Sequence, residues 1–439
     1  MLFWLLLFFS TAVSALELPE FADEPSNVNP VTQSYEFEVL DWVVPGIEPI
    51  EIKRSYSSSG ARRKFGGWEF WPHLVFDFSS EGYKPDGIHS ILERKGHFPS
   101  LSWIELMEPD GRKRKYSRVE KQTTLYQGIS VYEYKIEEVY DDALEGRHNA
   151  LNNRLYIEEE TDWMWVVEAS GNIRYYKHKN HLYQLRFEKR PNGHLVEYTY
   201  DKDNRVTSIQ TKNRIGNKTY ASLDCFYGNP WVGANTMTIK TSDGQELVYT
   251  YKTFTWSGDY IIWPESRHLL QTVERQGQEI EAYEYTKKNW SEGCVLASRI
   301  HADGHVYKIE YESHRVAFVK VPNPLKRNSW INLFTCTVQG IQEPSKFYPK
   351  STEILHIGGN KIVTFFSWDG VVTAQETSQF KTLFSHDENH RLVRQELLDK
   401  TGNQVSLRTF AYDAEHNVCS EMLSAGFEYS KQYSYQQGL

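Results

Sequence analysis

Gly193-His194-Leu195-Val196-Glu197-Tyr198-Thr199-Tyr200-Asp201-Lys202-Asp203-Asn204-Arg205-Val206-Thr207-Ser208-Ile209 is the stretch that decides the fold. A turn glycine opens an alternating strand ending in Tyr-x-Tyr-Asp. A polar turn and Arg205 then lead into a second alternating strand. Alternation gives each strand two different faces, and Asp-x-x-Asn is turn chemistry, so the unit reads as a β-hairpin. Tyr198 and Tyr200 lie two apart and share one side of the sheet. Asp201 is placed to bond turn amides, and Arg205 to pair with a neighbouring carboxylate. Stacked hairpins would align the tyrosines in rows, each cross-strand pair contributing roughly 0.2–1 kcal/mol.

The string recurs in worn form. Gly244 to Tyr251, Gly277 to Tyr285 and Gly304 to Tyr311 repeat its first half. Gly402 to Asp413 ends in Phe410-Ala411-Tyr412-Asp413. The second half stands alone at Asp387 to Val393, with Arg391 in the arginine place, and Gly171 to Tyr176 is a weaker member. Successive glycines fall roughly 22 to 33 residues apart, the range of repeat architectures. The residues that mark the unit, Gly193, Tyr198, Tyr200, Asp201, Arg205, Gly244, Tyr251, Gly277, Tyr285, Gly304, Tyr311, Arg391, Gly402, Tyr412 and Asp413, are read as structural.

Composition agrees. The chain has 439 residues, enough for a large core or several domains, and its aromatic content of 14% suits sheet. Sustained helical periodicity is confined to the first residues. The net charge of −9 is spread as mixed-sign alternation. The densest basic run, Arg112-Lys113-Arg114-Lys115, is expected on a solvated edge strand, where lysine guards against edge pairing, and nucleic acid is not an expected partner.

Met1 to Phe9 is an apolar run of signal-peptide length, followed by small residues with Val13 and Ala15 at the −3 and −1 places. Cleavage is expected between Ala15 and Leu16, giving an exported protein, secreted or held at the cell envelope or surface. The run is too short to cross a bilayer, and no later transmembrane segment is read. Cys225, Cys294, Cys336 and Cys419 show no Cys-x-x-Cys spacing, which argues against a zinc site. Export permits disulfides in three connectivities; the four are equally readable as small buried hydrophobes.

The segment before the repeats differs. Asn29-Pro30-Val31-Thr32 precedes the alternating strand Tyr35 to Leu40; Pro45-Gly46 turns the chain; Arg54-Ser55-Tyr56-Ser57-Ser58 and Gly66-Gly67-Trp68 follow. This order, with the Gly-to-Tyr-Asp-x-x-Asn-Arg-Val unit, resembles the N-terminal portion of an Rhs or YD-repeat protein, with teneurin and insecticidal toxin-complex shells as more distant relatives. The resemblance runs from Asn27 to Leu439, strong at Gly66 to Trp68 and Gly193 to Ile209. It implies an all-β fold: a long, antiparallel, spiralling sheet of hairpins forming part of a shell, preceded by a small β domain. In that family the shell encloses a C-terminal toxin or presents an adhesion surface. No segment matches the family's self-cleavage aspartates, so no catalytic residue is carried over.

The expected organisation is a signal peptide over 1–15, an opening β module over 27–78, a β-rich connection over 79–160, repeats over 161–315, a divergent β region over 316–380 and further repeats over 381–439. Tyr433-Ser434-Tyr435-Gln436 looks like the start of another unit, so the expectation is a truncated or split product, or a short form that pairs its edge with another chain.

Three functions compete. The first is a non-enzymatic structural shell of a secreted polymorphic toxin or cell-surface protein, whose partner is a C-terminal toxin or a chain completing the shell. The second is an exported module holding a glycan or surface protein through Trp68, Trp71, Trp163, Trp165, Trp256 or Trp263. The third is a hydrolase in 316–380, which holds Trp330, Cys336, His356 and Asp369. The His386-Asp387-Glu388-Asn389-His390 string mimics a metal motif but sits in a repeat turn, whereas zincins need it on a helix. His178, His181, Glu158 to Glu160 and Asp162 read as solvated. No metal or cofactor is expected. N-terminal sequencing of exported protein is expected to begin at Leu16; material still beginning at Met1 would contradict the signal-peptide reading.

Overall fold

A computed structural model describes residues 27–29, 33–60, 67–71, 103–107, 113–119, 123–136, 153–158, 161, 163–168, 170–179, 182–202, 205–228, 235–256, 265–287, 294–312, 315–324, 326, 328–342, 347–367, 371–388, 391–412 and 418–433. The signal-peptide residues Ala15 and Leu16, as well as Asp413, lie outside them.

Strand dominates. Glu36–Val44, Ile50–Ser57 and Trp68–Trp71 form a small three-stranded antiparallel meander. The strands from Trp103–Met107 to Glu428–Gln432 form one long antiparallel sheet, in which nearly every strand pairs with the next in sequence. Trp103–Met107 pairs with Lys113–Arg118, and Glu428–Gln432 with Val418–Ser424. Among the described residues no ladder joins the two end strands, so the sheet is not a closed barrel.

The glycine-marked hairpins turn on that glycine. Gly193, Gly244, Gly277, Gly304 and Gly402 all have φ between 75° and 88°, the left-handed region that an L side chain enters at a cost. At Gly304 an added Cβ would meet open space, so backbone strain alone fixes the residue there. At Gly67 the constraint is also steric, because a Cβ would fall 2.2 Å from the Ser57 carbonyl oxygen.

At the other end of each hairpin the ladder slips by one residue. Thr199 faces Ser208 but Tyr200 faces Val206, which leaves Thr207 over. Tyr251 faces Leu270, Tyr285 faces Leu296, Tyr311 faces Val316 and Tyr412 faces Val418 with the same slip. These are β-bulges, which bend a strand, increase its twist and disrupt ladder bonding locally. The second tyrosine of the following hairpin answers that disruption. Tyr200 donates its hydroxyl to the Leu185 carbonyl at 2.6 Å, Tyr227 to Val206 at 2.7 Å, Tyr285 to Leu270 at 2.6 Å, Tyr311 to Leu296 at 3.0 Å and Tyr412 to Leu392 at 2.7 Å. Each acceptor is the residue just before the one the bulge leaves over. In these five cases the tyrosine therefore ties its hairpin to the one before it.

The divergent stretch belongs to the same sheet. Phe366 faces Val372 past a bulge, and Ser367 closes the turn to Val371, the Ser367 amide donating to the Val371 carbonyl at 2.9 Å. Serine thus stands where Asp201 stands in the full unit. Of the basic run, Lys113 to Lys115 pair with Glu105 to Met107 and, among the described residues, on that side only; the strand gains its second neighbour, Ile129–Ile136, from Tyr116 to Arg118.

Replacing Tyr200 by Phe removes a donor and keeps the ring. The expected cost is about 0.5–1.5 kcal/mol of unfolding free energy, read by urea denaturation. No change would contradict the tie to the Leu185 carbonyl.

Candidate functional site

The most chemically specialised place in the chain is the seat of the small meander on the long sheet. The segment from Gln33 to Glu48 crosses the hairpins instead of joining their ladder. Gln33 bonds Thr352 through its side chain at 3.4 Å and accepts from the Val316 amide at 3.0 Å. Asp41 accepts from the Tyr249 hydroxyl at 2.7 Å, and the Trp42 indole donates to Asp243 at 2.9 Å. Glu48 meets the His194 ring at 2.7 Å, and its carbonyl accepts from Thr211 at 2.7 Å. The contacts run from Phe347–His356 back to the turn before Leu195–Tyr200. The contacts of this one segment thus fall on strands as far apart in the sheet as Val206–Lys212 and Phe347–His356.

The strap lies on the face that carries the repeat tyrosines. Tyr198, Tyr249, Tyr251 and Tyr283 are buried there with Ile209, Leu223, Leu247 and Val273. Trp68 packs edge-on to Tyr283 at 4.7 Å and donates to the Tyr285 hydroxyl at 2.7 Å. Tyr56 accepts from the Leu296 amide at 2.8 Å, and Phe70 packs on Tyr249 at 5.7 Å.

At the centre is Arg54, with no exposed surface. Its alternation with Ile50, Ile52 and Tyr56 turns it inward. Its Nε donates to both Asp41 oxygens at 3.0 and 2.9 Å, its Nη2 donates to Glu281 at 2.6 Å, and its Nη1 donates to the Tyr283 hydroxyl. Arg299 binds the other Glu281 oxygen through Nε at 3.0 Å and Nη2 at 2.6 Å, and lies 4.2 Å over the Phe37 ring. Burial alone would raise the Glu281 carboxyl, but Arg54 and Arg299 outweigh it and hold the group below its ordinary range. Burial raises the Tyr249 hydroxyl well above its ordinary value, with the Asp41 charge adding to the shift. The network holds charge in place; every oxygen named is occupied by a donor.

Asp201 and Arg205 come together as a closed turn: the Arg205 amide donates to Asp201 at 2.9 Å and its Nε at 2.7 Å. Asp387 and Arg391 repeat this at 2.9 and 2.6 Å. Each arginine lies over the tyrosine of the next strand, Arg205 over Tyr227 at 4.8 Å and Arg391 over Tyr412 at 4.7 Å. Sequence reading placed Arg54 in a motif without a role and read Trp68 as a candidate ligand-stacking residue, and it missed Asp41, Glu281, Tyr283 and Arg299. The available signal was a charge at an inward place of an alternating strand, as in Glu281-Ala282-Tyr283-Glu284-Tyr285.

The other candidates stay apart. All four cysteines are free thiols. Burial pushes the Cys336 thiol up to about 11, away from the range of a nucleophilic thiolate. His356 accepts the Gly358 amide on its ring at 3.0 Å. Asp369, Trp263, His181 and His390 lie outside the described residues, as do the side chains of Trp71, Trp256 and His178. Trp68 and Trp165 are buried. Tyr156, Trp165, Tyr175 and Phe187 form a cross-strand row on the face opposite the strap. The row's outer pairs are stacked, Tyr126 on Tyr156 at 4.4 Å and Tyr175 on Phe187 at 4.5 Å. Those rings cover each other's faces, which are the surfaces a sugar would need. Among the described residues no three His, Cys, Asp or Glu side chains are grouped to hold a metal ion.

No protein-family model matches the chain, and no curated protein matches it. Among solved structures, a TcdB2-TccC3-TEV crystal structure aligns over 91% of this chain and 22% of its own, with a TM-score of 0.31 and 8% identity. The Photorhabdus luminescens Tc holotoxin pore, carrying a TccC3 mutation, aligns over 75% of this chain and 26% of its own, with a TM-score of 0.22 and 8% identity. A porin-like protein from Bacteroides uniformis gives 52% and 91%, a TM-score of 0.23 and 13% identity. The chain thus spans about a quarter or less of the two Tc chains it aligns with.

Replacing Arg54 by Ala leaves Asp41 without its cation and Glu281 with Arg299 alone, and the expected cost is about 3–5 kcal/mol in urea unfolding. A change within about 0.5 kcal/mol would contradict the seat. Glu281, held below its ordinary 4.5, stabilises the folded chain above that pH, and this contribution is lost as pH falls through the lower folded value. Acid-side loss of stability is therefore expected to be shallower in an Arg54→Met variant than in the parent.

Proposed function

We propose that the chain is a non-enzymatic, exported wall segment of a repeat-built container, of the Rhs or YD-repeat kind its sequence resembles. The observation that carries this is the strap. A short N-terminal module braces a dozen successive strands on one face, while each hairpin adds a bulge that turns the sheet. Such a construction sets the curvature of a wall. Beyond Ala374 no described residue is buried, so the sheet continues there with its face open. The last described strand, Glu428–Gln432, pairs on one side only among the described residues, and a further antiparallel strand can extend the wall there, from the same polypeptide or from a second one. The enclosed partner in this reading is a polypeptide cargo. The glycan-binding alternative gains nothing from the aromatic row, whose stacked rings cover one another.

Electron microscopy of protein purified from its native source, together with whatever co-purifies, tests the reading. A curved wall around a lumen is expected. A flat or extended ribbon would overturn it.

A further inference from the structure

One place in the hairpin is apolar in several repeats and polar in others, as with Thr382 and Gln395. It consists of the residue four before the second aromatic of the pair and the residue facing the position two before that aromatic. Val196 and Ile209 occupy it in one repeat, Leu247 and Val273 in another, Tyr307 and Val319 in a third. In two repeats it holds an ion pair instead. The first is Glu281 with Arg299, Arg299 facing Tyr283. The second is Arg408 with Glu421, Glu421 facing Phe410. Bonding is alike in both: Arg408 reaches one Glu421 oxygen through Nε at 2.6 Å and Nη2 at 2.5 Å, as Arg299 reaches one Glu281 oxygen. The polarity is reversed.

The first pair is where Arg54 of the strap docks. Its carboxylate sits on the upstream strand and receives the incoming cation. The second pair lies on the same face of the sheet, traced strand by strand through the ladders, but there the upstream strand offers a cation. Arg408 remains 45% exposed, while Glu421 is 13% exposed and already accepts the Tyr433 hydroxyl at 3.0 Å. Lys431 and Tyr429 stand beside it on that face, and Tyr429 and Tyr433 are themselves exposed.

We infer that Arg408 and Glu421 form a second docking seat on the strap face, charge-reversed, for a polypeptide segment that presents an acidic side chain between aromatic or aliphatic neighbours. The acid bridges Arg408 as Arg54 bridges Glu281, and the flanking groups cover Phe410, Tyr429 and Tyr433. The charge pair has an evident use in the first case, where Arg54 docks on it, and the same place and bonding carry that use to the second. The seat rests on the repeat geometry and not on the container reading, so an open ribbon in the microscope would leave it standing.

The test uses the full chain and two fluorescent pentapeptides, one alternating phenylalanine with glutamate and one alternating phenylalanine with lysine, in anisotropy titrations. The glutamate peptide is expected to bind at least tenfold tighter. In the double variant Arg408→Glu with Glu421→Arg the ion pair is kept, so the fold is kept, and the preference is expected to invert. Equal binding of both peptides, no binding of either, or a preference unchanged by the swap would overturn the seat.

Discussion

A guanidinium buried without water is tolerated only when acceptors surround it, and the whole front of this molecule is arranged around one such group. Arg54 takes one carboxylate, Asp41, from its own module, and the other, Glu281, from a strand 227 residues away. Burying a charge costs several kcal/mol, and opposite charges recover that cost only when the geometry is closed on all sides. The module therefore cannot sit almost correctly. Its seat is right, with Asp41, Glu281 and Tyr283 all donated to, or it exposes a charge to an apolar interface.

That requirement supplies what hairpin repeats lack. A hairpin contacts its neighbours and little else, so errors of twist accumulate along the sheet. The tyrosine hydroxyls address the local part. Each reads the bulge of the preceding hairpin through one carbonyl, as Tyr285 does at Leu270. The strap addresses the long-range part by touching strands from His194 to Thr352 at once. Trp68 joins the two systems, since its indole donates to the same Tyr285 hydroxyl that donates to Leu270.

Much of this was legible in the sequence, and the illegible part has a physical cause. Period-two alternation announces strands, and the Asp201-to-Arg205 turn announces its own hydrogen bonds, because both are local. The divergent stretch hid its repeats because Ser367 and Val371 close a turn as Asp201 and Arg205 do without sharing their letters. The bulges were invisible, since one residue left over between strands changes register and not composition. Arg54 was quoted as part of a motif, and its inward place was readable from Ile50, Ile52 and Tyr56. Its partner was not readable, because nothing in a single sequence links position 54 to position 281. The free thiols show the same limit: spacing left disulfides open, and only the fold keeps the four cysteines apart.

A sheet that carries its own brace is a coherent product of these constraints, and in the proposed container the open face beyond Ala374 is where the wall would meet its partner. The measurement that tests the central claim most directly is a double-mutant cycle between Arg54→Met and Glu281→Gln, read as unfolding free energy of the full chain. The account predicts a coupling of about 1–3 kcal/mol between two residues that only docking brings together. Additive effects, within about 0.5 kcal/mol, would show that the module does not sit where the structure places it.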